Sequence, residues 1–281
     1  MNHNHRAIAT VFAVHGAVAG SLATRIPWIQ EHLTLSPSTL GLALLCPSIG
    51  AFIGMPMAGR LAYRFGGRRA TRVLLALWCS VLALPALAPA PAALFLVFLL
   101  YGCAAGMCDV VMNAHGVDLE RKIERPVISS LHGMWAVGSL AAGGLGVLMA
   151  HTGVDARLHL GAVAVVLLVL GRLAGRGLHL EDPATATAVA PRRFALPSRA
   201  ILLVGLVGFC GTFAEGASAN WAAVYVTEVA LAGPGLAAAT YTIFMLSMAG
   251  MRLAGDRVVR LAGPVTVVRA GGLTAIAGGC W

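Results

Sequence analysis

The sequence is a succession of apolar stretches of about 20 residues, a length that crosses the roughly 30 Å hydrocarbon core of a membrane as one helix. Hydrophobic residues make up 58% of the 281 residues and charged residues 11%, and the mean hydropathy is +0.83. Such a chain has too little polar surface to cover a water-soluble domain. The sequence therefore predicts an all-α transmembrane protein. About eight complete helices and part of a ninth are expected at 7–26, 38–59, 70–89, 92–113, 128–150, 156–175, 200–226, 234–254 and 264–281.

The beginning of the sequence is echoed, without a gap, near its end. This internal alignment matches the ends of spans and a basic loop in the two copies. It therefore indicates a duplicated six-helix unit rather than chance matches between glycines. We therefore expect a six-helix half at 1–176, a polar cytoplasmic linker at 177–198 and an incomplete second half, with helices seven to nine, at 199–281. The aligned pairs include Gly20 with Gly216, Gly54 with Gly250, Met55 with Met251, Gly59 with Gly255, Arg64 with Arg260 and Gly67 with Gly263.

The basic residues fall almost entirely in alternate loops, and the opposite side of the membrane carries only Arg25 and Arg157. By the positive-inside rule, the basic side and the N-terminus face the cytoplasm, as in a multi-pass protein of the bacterial inner membrane. The first span is not read as a cleavable signal, because it belongs to the repeat. The net charge of +9 does not indicate nucleic acid, because the arginines punctuate apolar spans. Membrane lipids, anionic ones included, are the expected partners.

A loop rich in glycine and arginine follows the second span. This loop, the two predicted six-helix halves and the polar linker together make the chain similar to the major facilitator superfamily (MFS) of secondary transporters. The family's loop runs Gly, three variable positions, Asp, Arg, one variable position, Gly and a basic cluster, and Tyr63 occupies the Asp position here. The resemblance implies a conformational role, with Asp256 and Arg257 supplying the charge pairing in the second half; a topology signal alone is the alternative. The matching residues are Gly59, Arg64, Gly66, Arg68 and Arg69.

Four further segments resemble bacterial permeases near the fucose permease branch of the superfamily. A complete member has twelve helices and is expected to be a monomer, so the resemblance implies that this chain is C-terminally incomplete. The segments are SLATRIPWIQ at 21–30, MNAHGVDLERKIERP at 112–126, SLHGMWAVGSLAAG at 130–143 and FAEGASANWAAVYV at 213–226.

Two acidic residues lie inside predicted spans, where a charged side chain costs about 2.5 to 3.5 kcal/mol and marks a functional candidate. Asp109, in the fourth span, shares a helix face with Asn113, and the resemblance to the fucose permease branch implies a functional acid in this helix. Glu215 lies in the seventh span among apolar and small residues. Either acid is a candidate for coupling transport to protons, with Arg25 as a candidate partner. The alternative is that both acids are held in fixed networks that pack helices together.

Polar and aromatic residues in the spans are candidates for binding a solute. His132, Trp135 and Ser139 share one face of the fifth span, because residues at i, i+3 and i+7 align on a helix. Such a stripe suits a sugar-like ligand, which stacks on an indole and hydrogen-bonds to an imidazole; helix packing is the alternative. The substrate-binding candidates are Arg25, Asn113, His132, Trp135, Asn220 and Trp221, with His15 and His115 as weaker ones.

The sequence carries no signature of enzyme chemistry. The six cysteines lie in apolar spans without metal-ligand spacing, and there is no phosphate-binding loop, dinucleotide fingerprint or serine elbow. We therefore expect no catalytic residue, no metal and no cofactor. The sequence favours a secondary transporter that moves a small polar solute, sugar-like by preference, by alternating access coupled to protons. The alternatives are a drug-type exporter and a non-transporting, truncated membrane protein.

Overall fold

The computed structural model describes residues 3–178, 198–229, 231 and 234–278, with all of their side chains except those at 3, 216–217, 219–228 and 234–242. Almost all of the described residues are helical, and none of them lies in a strand. The predicted all-α class is therefore confirmed. The helices are α1 (His3–Ala23), α2 (Ile26–His32), α3 (Pro37–Ala43), α4 (Cys46–Phe65), α5 (Gly67–Ser80), α6 (Pro91–Ile123), α7 (Ile128–His151), α8 (Ala156–Arg176), α9 (Arg199–Glu228), α10 (Pro234–Ala262) and α11 (Pro264–Gly278), with a 3₁₀ helix at Val81–Leu87.

Six segments of the described chain are long and apolar enough to cross a membrane. They match the first six predicted spans, with ends that differ by up to ten residues, and α9, α10 and α11 lie at the three spans predicted after them. The prediction of a multi-pass membrane protein is therefore confirmed. The six segments are Asn4–His32, Pro37–Phe65, Gly67–Leu87, Pro91–Ile123, Ile128–His151 and Ala156–Arg176.

Prolines interrupt two of the membrane-spanning segments, at the predicted end of the first helix (7–26) and inside the second (38–59). Pro27 lies in the first turn of α2 and Pro47 in the first turn of α4, and a short break in the helix precedes each. Proline lacks an N–H, and its ring clashes with the carbonyl four residues earlier, so a new helix begins at the proline. The break within the second span is therefore a local effect of Pro47, and the span still has the length of a membrane crossing.

Glycines allow two pairs of helices to approach closely. α1 packs most extensively against α7, and α4 against α6. A Cβ atom on Gly16 or Gly20 of α1 would overlap a backbone carbonyl oxygen of α7, at Trp135 or Ser139 respectively. Gly102 of α6 makes the same close approach to the backbone of α4. Small residues permit backbone contact of this kind between membrane helices, so side chains beside these glycines meet across the crossing.

The described residues form two compact units. The first contains those within Met1–Pro191 and Leu253–Trp281, and the second those within Arg192–Arg252. The predicted linker, 177–198, lies outside the described residues except at its two ends. The linker and the division into two halves stay predictions.

Candidate functional site

Five polar or aromatic side chains of the first unit come together inside the spans. α1 supplies His15, α6 supplies Asp109 and Asn113, and α7 supplies His132 and Trp135. We call these five residues the polar cluster. The close approach of α1 and α7 sets the distance across which they meet. Sequence reasoning named four of the five as main candidates and ranked His15 below them.

His15 connects three helices through its imidazole ring. The indole N–H of Trp135 donates to His15 Nδ1 at 3.0 Å, and His15 Nε2 lies 3.4 Å from the carbonyl oxygen of Ala105. Because Nδ1 accepts, the neutral ring carries its proton on Nε2 and donates it to Ala105. Trp78 stacks on the ring, with centroids 5.1 Å apart, and donates its own indole N–H to the His15 carbonyl at 3.2 Å. His15 is only 6% exposed, so it holds the helices together and orients Trp135.

Asp109 lies partly buried on α6, and its carboxylate is bound by a neutral amide. Asn113, one turn along the helix, donates its amide to Asp109 Oδ1 at 3.2 Å and to the Asp109 backbone carbonyl at 2.9 Å. Within the part of the chain that the structure describes, no basic side chain reaches ion-pair distance of this carboxylate. His132 of α7 is close enough to interact with it electrostatically. Oδ2 of Asp109 is therefore left without a hydrogen bond from any described residue.

His132 has one bonded and one unbonded ring nitrogen. Nδ1 lies 3.0 Å from the carbonyl oxygen of Ile128, so this nitrogen carries a proton and donates it. The Phe12 ring packs edge-on against the imidazole, with 5.3 Å between centroids. No described residue bonds Nε2, which is left to accept a hydrogen bond from water or a solute. The polar cluster thus offers acceptor groups that the protein itself does not fill.

Two of the predicted site residues lie outside the polar cluster, each with its own partner. Arg25 is 2% exposed, and donates Nε to Nδ1 of His159 at 3.0 Å and a terminal N–H to the carbonyl of Val154 at 3.1 Å. These partners lie on α8 and in the turn before it. In the second unit, Glu215 forms an ion pair with Arg252 at 2.6 Å. Arg25 is therefore bound to α8 rather than to Asp109, and Glu215 is paired within its own unit.

For three other predicted residues the structure gives no contact with the polar cluster among the described side chains. Asn220 and Trp221 belong to α9, but their side chains lie outside the described ones, so both stay predictions. His115, on α6, hydrogen-bonds Thr71 and lies 3.2 Å from the carbonyl oxygen of Gly67. It thus links α6 to the start of α5 rather than to the polar cluster.

The basic loop turns at Gly66, whose φ of +80° separates α4 from α5. This left-handed conformation favours glycine, which explains its place in the loop motif. In the repeat, the turn falls at Gly263, with φ of +79°, one position later than the ungapped alignment would place it. Arg68 donates to the carbonyl oxygen of Arg176 at 2.9 Å and so ties the loop to the end of α8. The remaining motif residues on the last turns of α4 and the first turn of α5 are Gly59, Arg64 and Arg69.

Two carboxylates hold the start of α7. Asp256 of α10 accepts hydrogen bonds from the backbone N–H groups of Ser129 and Ser130, at 3.0 and 2.9 Å. Glu120 of α6, which sequence reasoning missed, accepts from the two preceding N–H groups at 2.9 and 3.3 Å. The first N–H groups of a helix lack acceptors within it, and its start is partly positive, so both carboxylates stabilise α7. Asp256 thus tethers α10 to a neighbouring helix through backbone groups, while Arg257 is exposed.

Spans paired at glycines, a repeated basic turn and a polar cluster inside the spans define an all-α, multi-pass membrane protein. The chain belongs to the Major Facilitator Superfamily, whose sequence pattern matches residues 8–281. It is 32% identical to an uncharacterized transporter, y4wD, of Sinorhizobium fredii. The alignment extends over 280 residues and covers 97% of this chain and 72% of that protein. An uncharacterized MFS-type transporter of Yersinia pestis is 30% identical over 274 residues, or 95% of this chain and 69% of that protein.

The membrane protein MosC of Rhizobium meliloti is also similar, with 30% identity over 274 residues that cover 97% of this chain and 66% of MosC. The predicted superfamily is therefore confirmed, and with it a membrane transporter. The finer placement near the fucose permease branch stays a prediction.

Proposed function

We propose that this transporter moves a small, sugar-like polar solute across the bacterial inner membrane by alternating access, and that Asp109 couples this movement to protons. The observation that carries the proposal is the partly buried Asp109 carboxylate, which has no ion-pair partner among the described residues. An uncompensated charge inside a span is costly, and uptake of a proton removes it. Asp109 is therefore suited to be ionised when it is open to water and protonated when it is closed from water.

The rest of the polar cluster supports a polar solute with a ring. His132 Nε2 and the amide oxygen of Asn113 accept no hydrogen bond from the described residues, so both are available to hydroxyl donors. His15 holds the indole N–H of Trp135, which fixes the plane of that ring before any solute binds. A fixed aromatic face beside polar acceptors is an arrangement that binds an amphipathic ring with little loss of side-chain freedom.

Glu215 is less suited to proton coupling than Asp109. Arg252 already lies 2.6 Å from its carboxylate and compensates its charge. Protonation of Glu215 would remove the negative charge that compensates the partly buried guanidinium of Arg252 in this ion pair, which is unfavourable. We therefore assign the coupling proton to Asp109, and to the Glu215–Arg252 pair the role of holding α9 to α10 within the second unit.

Alternating access requires contacts that stabilise one conformation and are absent from the other. The hydrogen bonds from the start of α7 to Asp256 are suited to this role, because they join α7 to α10 through one side chain. They lie at the basic end of the spans, which we assign to the cytoplasm by the positive-inside rule. The proposal is that this contact forms when the transporter is closed toward the cytoplasm.

Uptake into proteoliposomes with an imposed pH gradient tests the coupling. The probes are a panel of labelled pentoses, hexoses and polyols. We expect the unmodified protein to accumulate at least one of them only when the gradient is present, and Asp109→Asn to lose that accumulation. Asp118→Asn, which removes an exposed carboxylate from the same helix, is the matched control and should accumulate solute normally.

Two outcomes would contradict the proposal. Normal gradient-driven accumulation by Asp109→Asn would show that the coupling proton does not bind there. If no sugar or polyol moves while the protein extrudes lipophilic cations, the sugar-like assignment is wrong and a drug-type exporter is favoured.

A further inference from the structure

A cleft of about 700 Å³ lies between α5 and α8, at the end where α5 begins and α8 ends. Four of its lining side chains are arginines, and none of the described residues that line it is acidic. We call it the basic cleft; none of its residues belongs to the polar cluster. It is lined by Phe65, Arg68, Arg69, Arg72, Val73, Ala76 and Arg172.

The arginines of the basic cleft are held in place by contacts between α5 and α8, and no described acidic residue forms an ion pair with them. Arg68 donates to the Arg176 carbonyl at 2.9 Å, yet its Nε is buried without a hydrogen-bond acceptor among the described residues. The stem of Arg72 lies over Gly175, where a Cβ atom would leave too little room for it. Arg72 and Arg172 are exposed, and neither has an ion pair with a described residue. Four guanidinium groups in one cleft repel each other, so an anion that contacts several of them would bind favourably.

The chemistry of the arginines points to a phosphate group. The planar guanidinium offers paired N–H donors that match phosphate oxygens, and its weak hydration lowers the cost of bringing it close to an anion. The Phe65 ring, with Arg69 at 6.0 Å from its centroid, adds a flat wall at the same end of the cleft.

The apolar side of the basic cleft distinguishes a membrane lipid from a soluble phosphate. α5 and α8 both belong to segments long and apolar enough to span a membrane, and the cleft lies at the start of one segment and the end of the other. Beyond the arginines the lining continues with Val73, which is 55% exposed, and Ala76. An acyl chain attached to the phosphate would cover these side chains, whereas a free phosphate would leave them uncovered. We propose that the basic cleft binds the phosphate of an anionic phospholipid, with an acyl chain along Val73 and Ala76.

Native mass spectrometry of the purified chain tests this site. The probes are dioleoyl phosphatidylglycerol, dioleoyl phosphatidylcholine and inorganic phosphate, each titrated separately. The test variant is Arg72→Gln with Arg172→Gln, since glutamine keeps much of the aliphatic stem that packs over Gly175. The matched control is Arg6→Gln with Arg121→Gln, which removes the same charge from two exposed arginines outside the cleft.

We expect the cleft variant to bind phosphatidylglycerol about 30-fold more weakly than the unmodified protein, from a loss of about five- to sixfold per arginine near a membrane surface. The control pair should lose less than about threefold. Phosphatidylcholine should bind more weakly than phosphatidylglycerol to the unmodified protein.

Three results would overturn the proposal. Equal losses in the cleft and control variants would show that net charge alone attracts the lipid. Unchanged binding in the cleft variant would show that the lipid binds elsewhere. Binding of inorganic phosphate that depends on Arg72 and Arg172, without any preference among lipids, would assign the cleft to a soluble phosphate.

Discussion

The indole N–H of Trp135 on α7 donates to Nδ1 of His15 on α1, at 3.0 Å, across a helix crossing where glycine brings the two backbones into contact. This hydrogen bond ties the aromatic member of the polar cluster to the packing of two spans. If the crossing widened, the indole would lose its acceptor and the ring its orientation. The stability of the α1–α7 pair and the geometry of the cluster are therefore linked.

Trp135→Phe should lower the free energy of unfolding by about 1 kcal/mol, because it leaves Nδ1 of the buried His15 without a donor. Titration with sodium dodecyl sulfate, followed by circular dichroism, measures this change. Trp28→Phe is the control, because no described residue accepts a hydrogen bond from the Trp28 indole N–H. Equal losses in the two variants would attribute the effect to ring volume rather than to the hydrogen bond.

Gly138→Ala should lower the free energy of unfolding by about 1 to 3 kcal/mol, because the added methyl group would overlap the carbonyl oxygen of Ala13 on α1. Gly144→Ala, on the same helix, is the control, because the methyl group added there would meet no described atom within 4 Å. The midpoint of thermal unfolding in detergent reports both. If the two variants melted together, the α1–α7 crossing would not be as close as described.

Arg25→Gln should lower the free energy of unfolding by about 1 to 3 kcal/mol, because buried hydrogen bonds to His159 and Val154 would be lost. Since these partners already occupy the guanidinium, the KM of a transported solute should change little. Thermal unfolding and uptake kinetics on the same preparation separate the two effects. A raised KM with unchanged stability would instead support the sequence-based hypothesis that Arg25 contacts the solute.

Asp256→Ala should increase hydrogen exchange at the backbone amides of Ser129 and Ser130, because both lose their acceptor. Glu120→Ala should increase exchange at the two amides before them. Exchange followed by mass spectrometry with electron-transfer fragmentation resolves the two pairs. Asp118→Ala is the control and should leave all four amides protected; general deprotection in every variant would mean that α7 frays for another reason.

The order of the first six membrane spans could be predicted from the sequence, because membrane thickness fixes the length of an apolar span. The breaks before Pro27 and Pro47 were not predicted, since hydropathy does not register the loss of one N–H group. The family loop motif included Gly66, where the first copy turns, whereas the second copy turns at Gly263, which the ungapped repeat aligns with Gly67. A pattern of residue types therefore gives the presence of a turn more reliably than its register.

The polar cluster was only partly accessible from the sequence. Asp109 and Asn113 are four residues apart on one helix, so helical periodicity predicted that they share a face. The contact between Trp135 and His15 depends on how α1 and α7 are aligned lengthwise, which no spacing within either helix determines. Glu120 was also missed because its role depends on how two helices are arranged. It accepts hydrogen bonds only because the chain turns back from α6 into α7 beside it.

The start of α7 has two supports that can act separately. Loss of the Asp256 contact would free only the Ser129 and Ser130 amides, while Glu120 would still hold the two amides before them. The freed amides lie at the end of a span, where water can hydrate them, so opening would not leave bare peptide groups in hydrocarbon. The helix would keep its first turn throughout, and the separation of α7 from α10 would be readily reversible.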